Sequence, residues 1–148
     1  MSNSDNPRVG AEFQSQVRDF FECKYGKKFH LEEKIAIGFE PDNLKEHKFD
    51  IVSADGLIVV ECKRYTWTAS GNVPSAKMGF TNEAAFYLSF LPSSITKYIV
   101  MFQSFNAKRG ETLAEYYYKT NKHLLKDVLI AEFNPDSSEL RIINKETV

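Results

Sequence analysis

Two acidic residues and a lysine lie on either side of one turn in the sequence. Asp50 precedes the turn, and Glu61 and Lys63 follow it with only Cys62 between them. Carboxylate oxygens are ligands that Mg²⁺ and Mn²⁺ prefer, and the backbone carbonyl of Cys62 offers a further oxygen. A lysine beside such an ion can orient an attacking water or stabilise charge on a phosphate. These residue types predict metal-dependent phosphodiester hydrolysis if the fold brings them together.

The segment that must position these residues is a predicted β-hairpin, Phe49–Tyr65. Asp55-Gly56 lies between two apolar runs, which predicts a two-residue type I′ turn because that turn needs positive φ angles. Counting outward from this turn gives the pairs Val52–Val59, Ile51–Val60 and Asp50–Glu61. The hairpin therefore predicts two carboxylates directly opposite each other.

Side chains alternate along a strand, so Asp50, Glu61 and Lys63 are expected on one face of the hairpin, together with Val52. Phe49 and Ile51 are expected on the other face. Opposed carboxylates destabilise a sheet, and a shared site forces one of them to keep its proton unless a cation is bound. The alternative is an ion pair between Glu61 and Lys63 at a strand end, with Asp50 in water.

A further acidic residue, Glu12, lies on a predicted amphipathic helix over Arg8–Cys23. The apolar residues at helical spacing are Val9, Phe13, Val17, Phe20 and Phe21. Glu12 lies beside this stripe, so it is either held at the rim of the core, where it could contact a metal-bound water, or is an ordinary flanking glutamate.

Composition indicates one globular domain. The chain has 148 residues, 43% of them hydrophobic, with a net charge of −1, which argues against a protein that coats nucleic acid nonspecifically. No run approaches the roughly 20 apolar residues that span a bilayer, so no membrane association and a cytoplasmic location are expected. Residues 1–7 are predicted to be a disordered lead and residues 8–148 a single domain. The two cysteines, Cys23 and Cys62, are expected to be buried thiols.

The remaining pattern predicts an α/β fold in the order α-β-β-β-α-β-α-β-β. Strands that are apolar on both faces, separated by helices, favour a central mixed sheet flanked by helices. The second helix is predicted at Thr81–Leu91, with Thr81 as N-cap, and the third at Gly110–Leu125. Trp67 falls in a polar loop, Thr66–Gly79, where it could stack on a base or close the edge of the core.

The motif resembles the PD-(D/E)XK nuclease superfamily, whose core order α-β-β-β-α-β agrees with residues 8–103. Val60-Glu61-Cys62-Lys63-Arg64-Tyr65, with Gly10-Ala11-Glu12-Phe13 in the first helix, is most similar to Mrr-type restriction endonucleases and archaeal Holliday junction resolvases. Phe49 stands where the family name expects proline.

This resemblance implies a restriction-endonuclease-like three-layer sandwich and a nuclease active site. Asp50 and Glu61 would bind Mg²⁺, for which Mn²⁺ could substitute, Lys63 would assist the nucleophilic water, and Glu12 would complete the site. The expected activity is a DNA endonuclease acting as a homodimer. Two alternatives remain open: a noncatalytic or partner-dependent nucleic-acid-binding subunit with the same fold, and a structural domain that binds no metal.

Overall fold

The protein forms a sheet with helices on both faces. The structure is a computed structural model and describes residues 6–144. The helices are α1 (Pro7–Tyr25), α2 (Ser75–Leu88) and α3 (Leu113–Asn121), and two short 3₁₀ turns occupy Pro41–Asn43 and Lys122–Leu124. The strands are β1 (Phe29–Ile37), β2 (Lys45–Ser53), β3 (Ile58–Lys63), β4 (Thr96–Phe102), β5 (Phe105–Asn106), β6 (Glu111–Thr112), β7 (Val128–Asn134) and β8 (Glu139–Ile142).

Six strands build one mixed sheet in the order β1-β2-β3-β4-β7-β8. β3, β4 and β7 are parallel, and the pairs β1–β2, β2–β3 and β7–β8 are antiparallel. The expected α/β class and the mixed sheet flanked by helices are confirmed. Along the chain, the two-residue strands β5 and β6, which pair with each other, are additional to the predicted elements. Within residues 6–144, no helix combines the length and apolarity needed to cross a membrane.

Each face of the sheet carries its own apolar core, as expected for strands that are apolar on both sides. On one face the core includes Phe13, Val17 and Phe21 of α1 with Ile51, Val60 and Val100. On the other face it includes Ala84 and Leu88 of α2 and Leu113 and Tyr117 of α3 with Val52, Val59 and Ile99. We call these the α1 face and the α2 face.

The first helix begins earlier than its apolar stripe indicates. Asn6 caps it by accepting a hydrogen bond from the Arg8 N–H (3.0 Å), and Pro7 occupies the first turn. Pro7 therefore lies in α1 with Asn6 as its N-cap, and residues 1–5 of the predicted lead lie outside the described residues. Gly26 ends the helix with φ +63°.

The second and third helices differ from prediction at their first residues. α2 begins at Ser75, so Thr81 is inside the helix, where its hydroxyl donates to the Lys77 carbonyl (2.9 Å) instead of capping. α3 begins at Leu113, because Thr112 and Glu115 form a reciprocal capping box there. The predicted start at Gly110 was therefore wrong.

The turn of the central hairpin is not type I′. Gly56 has φ +75° but Asp55 does not have a positive φ, and the Gly56 N–H donates to the Ser53 carbonyl (2.8 Å). A turn that is followed by a glycine in the left-handed region is typical of hairpin loops longer than the two residues of a type I′ turn. The pairs Ile51–Val60 and Val52–Val59 are nevertheless as predicted.

The alternation of side chains in β1 and β2 changes face at Asp50. Leu31 and Ile51 pack on the α1 face, yet Ile35 and Phe49 pack on the α2 face, although all four have odd numbers. Phe49 was therefore wrongly predicted to share a face with Ile51. Glu32, opposite Asp50 by the register of the flanking pairs, has φ +54°, and such a residue interrupts the regular pleat.

We expect Glu32→Gly to stabilise the protein by about 0.5–1 kcal/mol. A non-glycine residue at positive φ costs about 1–2 kcal/mol, which exceeds the entropy cost of about 0.5–1 kcal/mol that glycine adds in a strand. The exposed ion pair of Glu32 with Lys48 (3.5 Å) contributes little against this. Urea denaturation measures the change. Glu33→Gly, at the next and regular position, should destabilise by about the same amount, and equal effects at both positions would contradict the argument.

Candidate active site

Asp50 and Glu61 lie together where β2 and β3 separate. The Glu61 side chain is buried, with a residue exposure of 5%, and its Oε2 accepts a hydrogen bond from the Asp50 N–H (3.0 Å). In return, Asp50 Oδ2 accepts from the Cys62 N–H (2.7 Å). Each carboxylate therefore bonds to the backbone of the opposite strand, which fixes both side chains just beyond the last regular pair of the hairpin.

The two carboxyl groups of this pair share one site and affect each other's protonation. Burial, followed by the charge of Asp50 and a hydrogen bond with it, raises the pKa of Glu61 to about 9, against opposing effects of the Asp50 N–H and Lys63. At neutral pH the pair therefore holds one proton, as expected of two carboxylates in one site without a cation.

Lys63 is half-buried and follows Glu61 by two residues on β3. Its charge lowers the pKa values of both Glu61 and His47, so its ammonium group acts on the same small region. The Cys62 side chain packs instead against the apolar core of the α1 face. Lys63 therefore accompanies the carboxylate pair, as predicted, while Cys62 joins the site through its backbone. Cys23, predicted to be buried, is exposed.

His47 on β2 is the main addition that the structure makes to this site. Its Nε2 lies 3.3 Å from Glu61 Oε1, and its ring stacks on Tyr87 of α2 with centroids 3.9 Å apart. Burial lowers the pKa of His47, although the charges of Asp50 and Glu83 raise it. The sequence placed His47 near Asp50 along the strand but gave no signal for Tyr87 or Glu83, because their approach depends on how α2 packs.

Gln14, and not Glu12, connects the first helix to the carboxylate pair. The Gln14 side chain is buried, and its Nε2 donates to the Asp50 carbonyl (2.9 Å). Glu12 is exposed and lines a cavity of about 420 Å³ with Arg64, Gln103 and other residues, but not with Asp50 or Glu61. The structure therefore does not bring Glu12 to the pair, and of the two positions left open for Glu12 it shows the exposed, flanking one.

Trp67 closes the edge of the core. It is 6% exposed, its Nε1 donates to the Ser104 carbonyl (2.9 Å), and its ring packs edge-on against Tyr116. Of the two roles open for Trp67 in the sequence, the structure selects packing, because an indole held in this way has no face left for a nucleobase outside the core.

The carboxylate oxygens of Asp50 and Glu61 fit a hard cation that keeps most of its bound water. Among residues 6–144, no three histidine, cysteine, aspartate or glutamate side chains are arranged to hold a metal ion. Mg²⁺ characteristically binds proteins through one or two carboxylates and retains several waters. The adjoining carboxyl groups of Asp50 and Glu61 meet that requirement, and the predicted contributions of the Cys62 carbonyl and of Glu12 stay predictions.

Comparison with known protein families finds no family that matches this chain. Comparisons with curated proteins and with solved structures likewise find no significant match.

Proposed function

We propose that this protein is a metal-dependent nuclease that hydrolyses phosphodiester bonds in DNA at Asp50, Glu61 and Lys63. The observation that carries the proposal is the Glu61 carboxyl group, buried beside Asp50 and bonded to the backbone of β2. A buried carboxyl group next to a second one destabilises the folded protein unless a proton or a cation neutralises the pair. Such an arrangement is typical of functional sites.

The roles follow from the contacts of each residue. Asp50 and Glu61 would hold Mg²⁺, which when bound polarises a phosphoryl oxygen and lowers the pKa of a water. Glu61 would release its proton on metal binding. Lys63, on the same strand, is suited to orient the attacking water or stabilise negative charge on the phosphate. His47, between Glu61 and Tyr87, would hold the Glu61 carboxylate in one orientation.

The arrangement of elements gives further support. From α1 to β4 the order is α-β-β-β-α-β, and the carboxylate pair and lysine lie on the second and third strands. This is the order expected for a restriction-endonuclease-like fold, which we include in the proposal. Cleavage of both DNA strands by one small domain would require a homodimer with two such sites.

A second candidate function is a noncatalytic or partner-dependent nucleic-acid-binding subunit with the same fold. It is favoured by the backbone and His47 contacts that Asp50 and Glu61 make without a metal, and by the position of Glu12 away from the pair. In that case the protonated pair would be a structural contact between β2 and β3.

Cleavage and metal binding measured on the same preparation test the proposal. Linear, supercoiled, single-stranded and four-way-junction DNA are incubated with the wild-type protein and Mg²⁺ or Mn²⁺, and parallel samples contain EDTA. The expected result is cleavage that EDTA abolishes, together with a rise in melting temperature on adding Mn²⁺. A thermal shift without cleavage of any substrate would favour the noncatalytic subunit. The absence of both the thermal shift and cleavage would refute metal binding and nuclease activity together.

A further inference from the structure

A pocket lined by aromatic rings lies between α2 and the end of the β1–β2 hairpin. It has a volume of about 370 Å³, within the range of about 300–1,000 Å³ usual for small-molecule sites. Its lining includes Phe86, Tyr87 and Phe90 from α2 and the segment after it, and Ile37, Lys45 and His47 from β1 and β2. We call it the aromatic pocket.

The rings around the aromatic pocket are unusually exposed. Phe86 is 53% exposed, and Phe39, which packs edge-on against Phe90 with centroids 4.6 Å apart, is 80% exposed. Phe86 and Phe90 also meet edge-on (5.1 Å, 78°), so these rings are not stacked on one another. A contiguous exposed apolar surface of this kind marks a binding site.

His47 connects the aromatic pocket to the carboxylate pair. The His47 ring stacks on the Tyr87 ring, with the two ring planes only 22° apart. The His47 Nε2 atom lies 3.3 Å from Glu61 Oε1. The pocket and the proposed metal site therefore share one side chain. A group that enters the pocket would be separated only by the His47 side chain from a phosphate bound at Asp50 and Glu61.

We propose that the aromatic pocket receives one unpaired nucleobase adjacent to the phosphodiester bond that is cut, an inference that rests on the proposed nuclease function. Phenylalanine and tyrosine rings stack on any base. Lys45 and the neighbouring Glu46, which also lines the pocket, place a hydrogen-bond donor and an acceptor at its rim. The His47 ring already covers one face of Tyr87, so the exposed Phe86 ring is the surface on which the base would stack.

This assignment selects the kind of DNA that binds best. A base in an intact duplex is paired and stacked, and it must be unpaired before it can enter a pocket. Single strands, flaps or junction ends are therefore preferred over continuous duplex. A protein partner would bury the same rings without such a preference, which makes the two occupants distinguishable.

The test compares Phe86→Ala with Phe80→Ala, because Phe80 is an exposed phenylalanine of the same helix (48%) that does not line the pocket. Both changes are made in the Glu61→Gln background so that no DNA is cut. Fluorescence anisotropy measures the affinity for a labelled single-stranded oligonucleotide and for its duplex. Phe86→Ala should weaken single-strand binding about 5- to 100-fold and leave duplex binding unchanged, whereas Phe80→Ala should change neither.

Equal single-strand affinities of the two variants, with normal folding by circular dichroism, would overturn the proposal. So would a wild-type dimer that Phe86→Ala alone converts to a monomer in sedimentation velocity, because a second copy would then cover the pocket. Cleavage by the wild-type protein distinguishes failure of the base-pocket proposal from failure of the nuclease proposal. If the wild-type protein cleaves DNA and Phe86→Ala leaves single-strand binding unaltered, only the base pocket is refuted. If the wild-type protein neither binds nor cleaves DNA, the base pocket and the nuclease function are both refuted.

Discussion

Lys63→Ala is expected to reduce the rate of DNA cleavage by about 10²–10⁴-fold, the usual contribution of a positioned proton-transfer group. Lys63 lies two residues after Glu61 on β3, and its charge acts on both Glu61 and His47. In the proposed reaction, removing the ammonium group would leave the attacking water and the phosphate without the positive charge that Lys63 supplies. Metal binding should survive, because the proposed ligands Asp50 and Glu61 are unchanged.

Single-turnover cleavage and Mn²⁺-dependent melting of the same variant measure these two effects separately. Lys48→Ala is the matched control, since Lys48 is an exposed lysine on the neighbouring strand that pairs only weakly with Glu32. It should cleave DNA at the wild-type rate. A Lys63→Ala protein that cleaves within threefold of wild type would show that the lysine has no catalytic role.

Glu61→Gln is expected to stabilise the metal-free protein by about 1–3 kcal/mol at pH 7 and to abolish the Mn²⁺-dependent rise in melting temperature. The folded state keeps the proton of Glu61 up to about pH 9, whereas the unfolded chain releases it near pH 4.5. Retaining that proton at pH 7 costs the folded state up to about 3 kcal/mol. Glutamine is neutral, and its carbonyl can still accept the Asp50 N–H.

The pH dependence has a definite sign. Because the pKa of Glu61 is higher in the folded state, the stability of the wild type should fall as the pH rises from about 4.5 to about 9. Glu61→Gln removes that contribution, so the gain in stability should grow over this range. Urea denaturation at pH 5, 7 and 8.5 measures it.

Glu46→Gln, at an exposed glutamate of β2, is the control and should show no such trend. A difference between Glu61→Gln and wild type that does not depend on pH would contradict the shared proton. Persistence of the Mn²⁺ effect in Glu61→Gln would contradict the role of Glu61 as a ligand.

The sequence by itself determined the central hairpin and the class of fold. Apolar runs of strand length around Asp55-Gly56 predict the pairs Ile51–Val60 and Val52–Val59, because the position of the turn in a hairpin sets which residues pair. The same register brings Asp50 beside Glu61. Helical spacing likewise identified the buried stripe of α1, since burial of one helix face is a local property of the chain.

Only the tertiary structure decided where helix termini fall when local signals conflict. The start of α2 at Ser75 lies in a segment whose glycine, proline and polar residues indicate a loop, yet Met78 of that first turn is buried in the core of the α2 face. Packing outweighs weak local propensity. The change of face of the side chains at Asp50 also depends on the positive φ of Glu32, which a glutamate in the sequence does not predict.

The surroundings of the carboxylate pair were decided by contacts between residues far apart in the chain. Gln14 replaces Glu12 because the rotation of α1 on the sheet turns position 14 toward Asp50 and position 12 toward solvent. His47 reaches Glu61 because α2 places Tyr87 against its ring. A sequence pattern records which residues of one element share a face, but these contacts depend on how two elements pack, which is set by the sum of all their buried side chains.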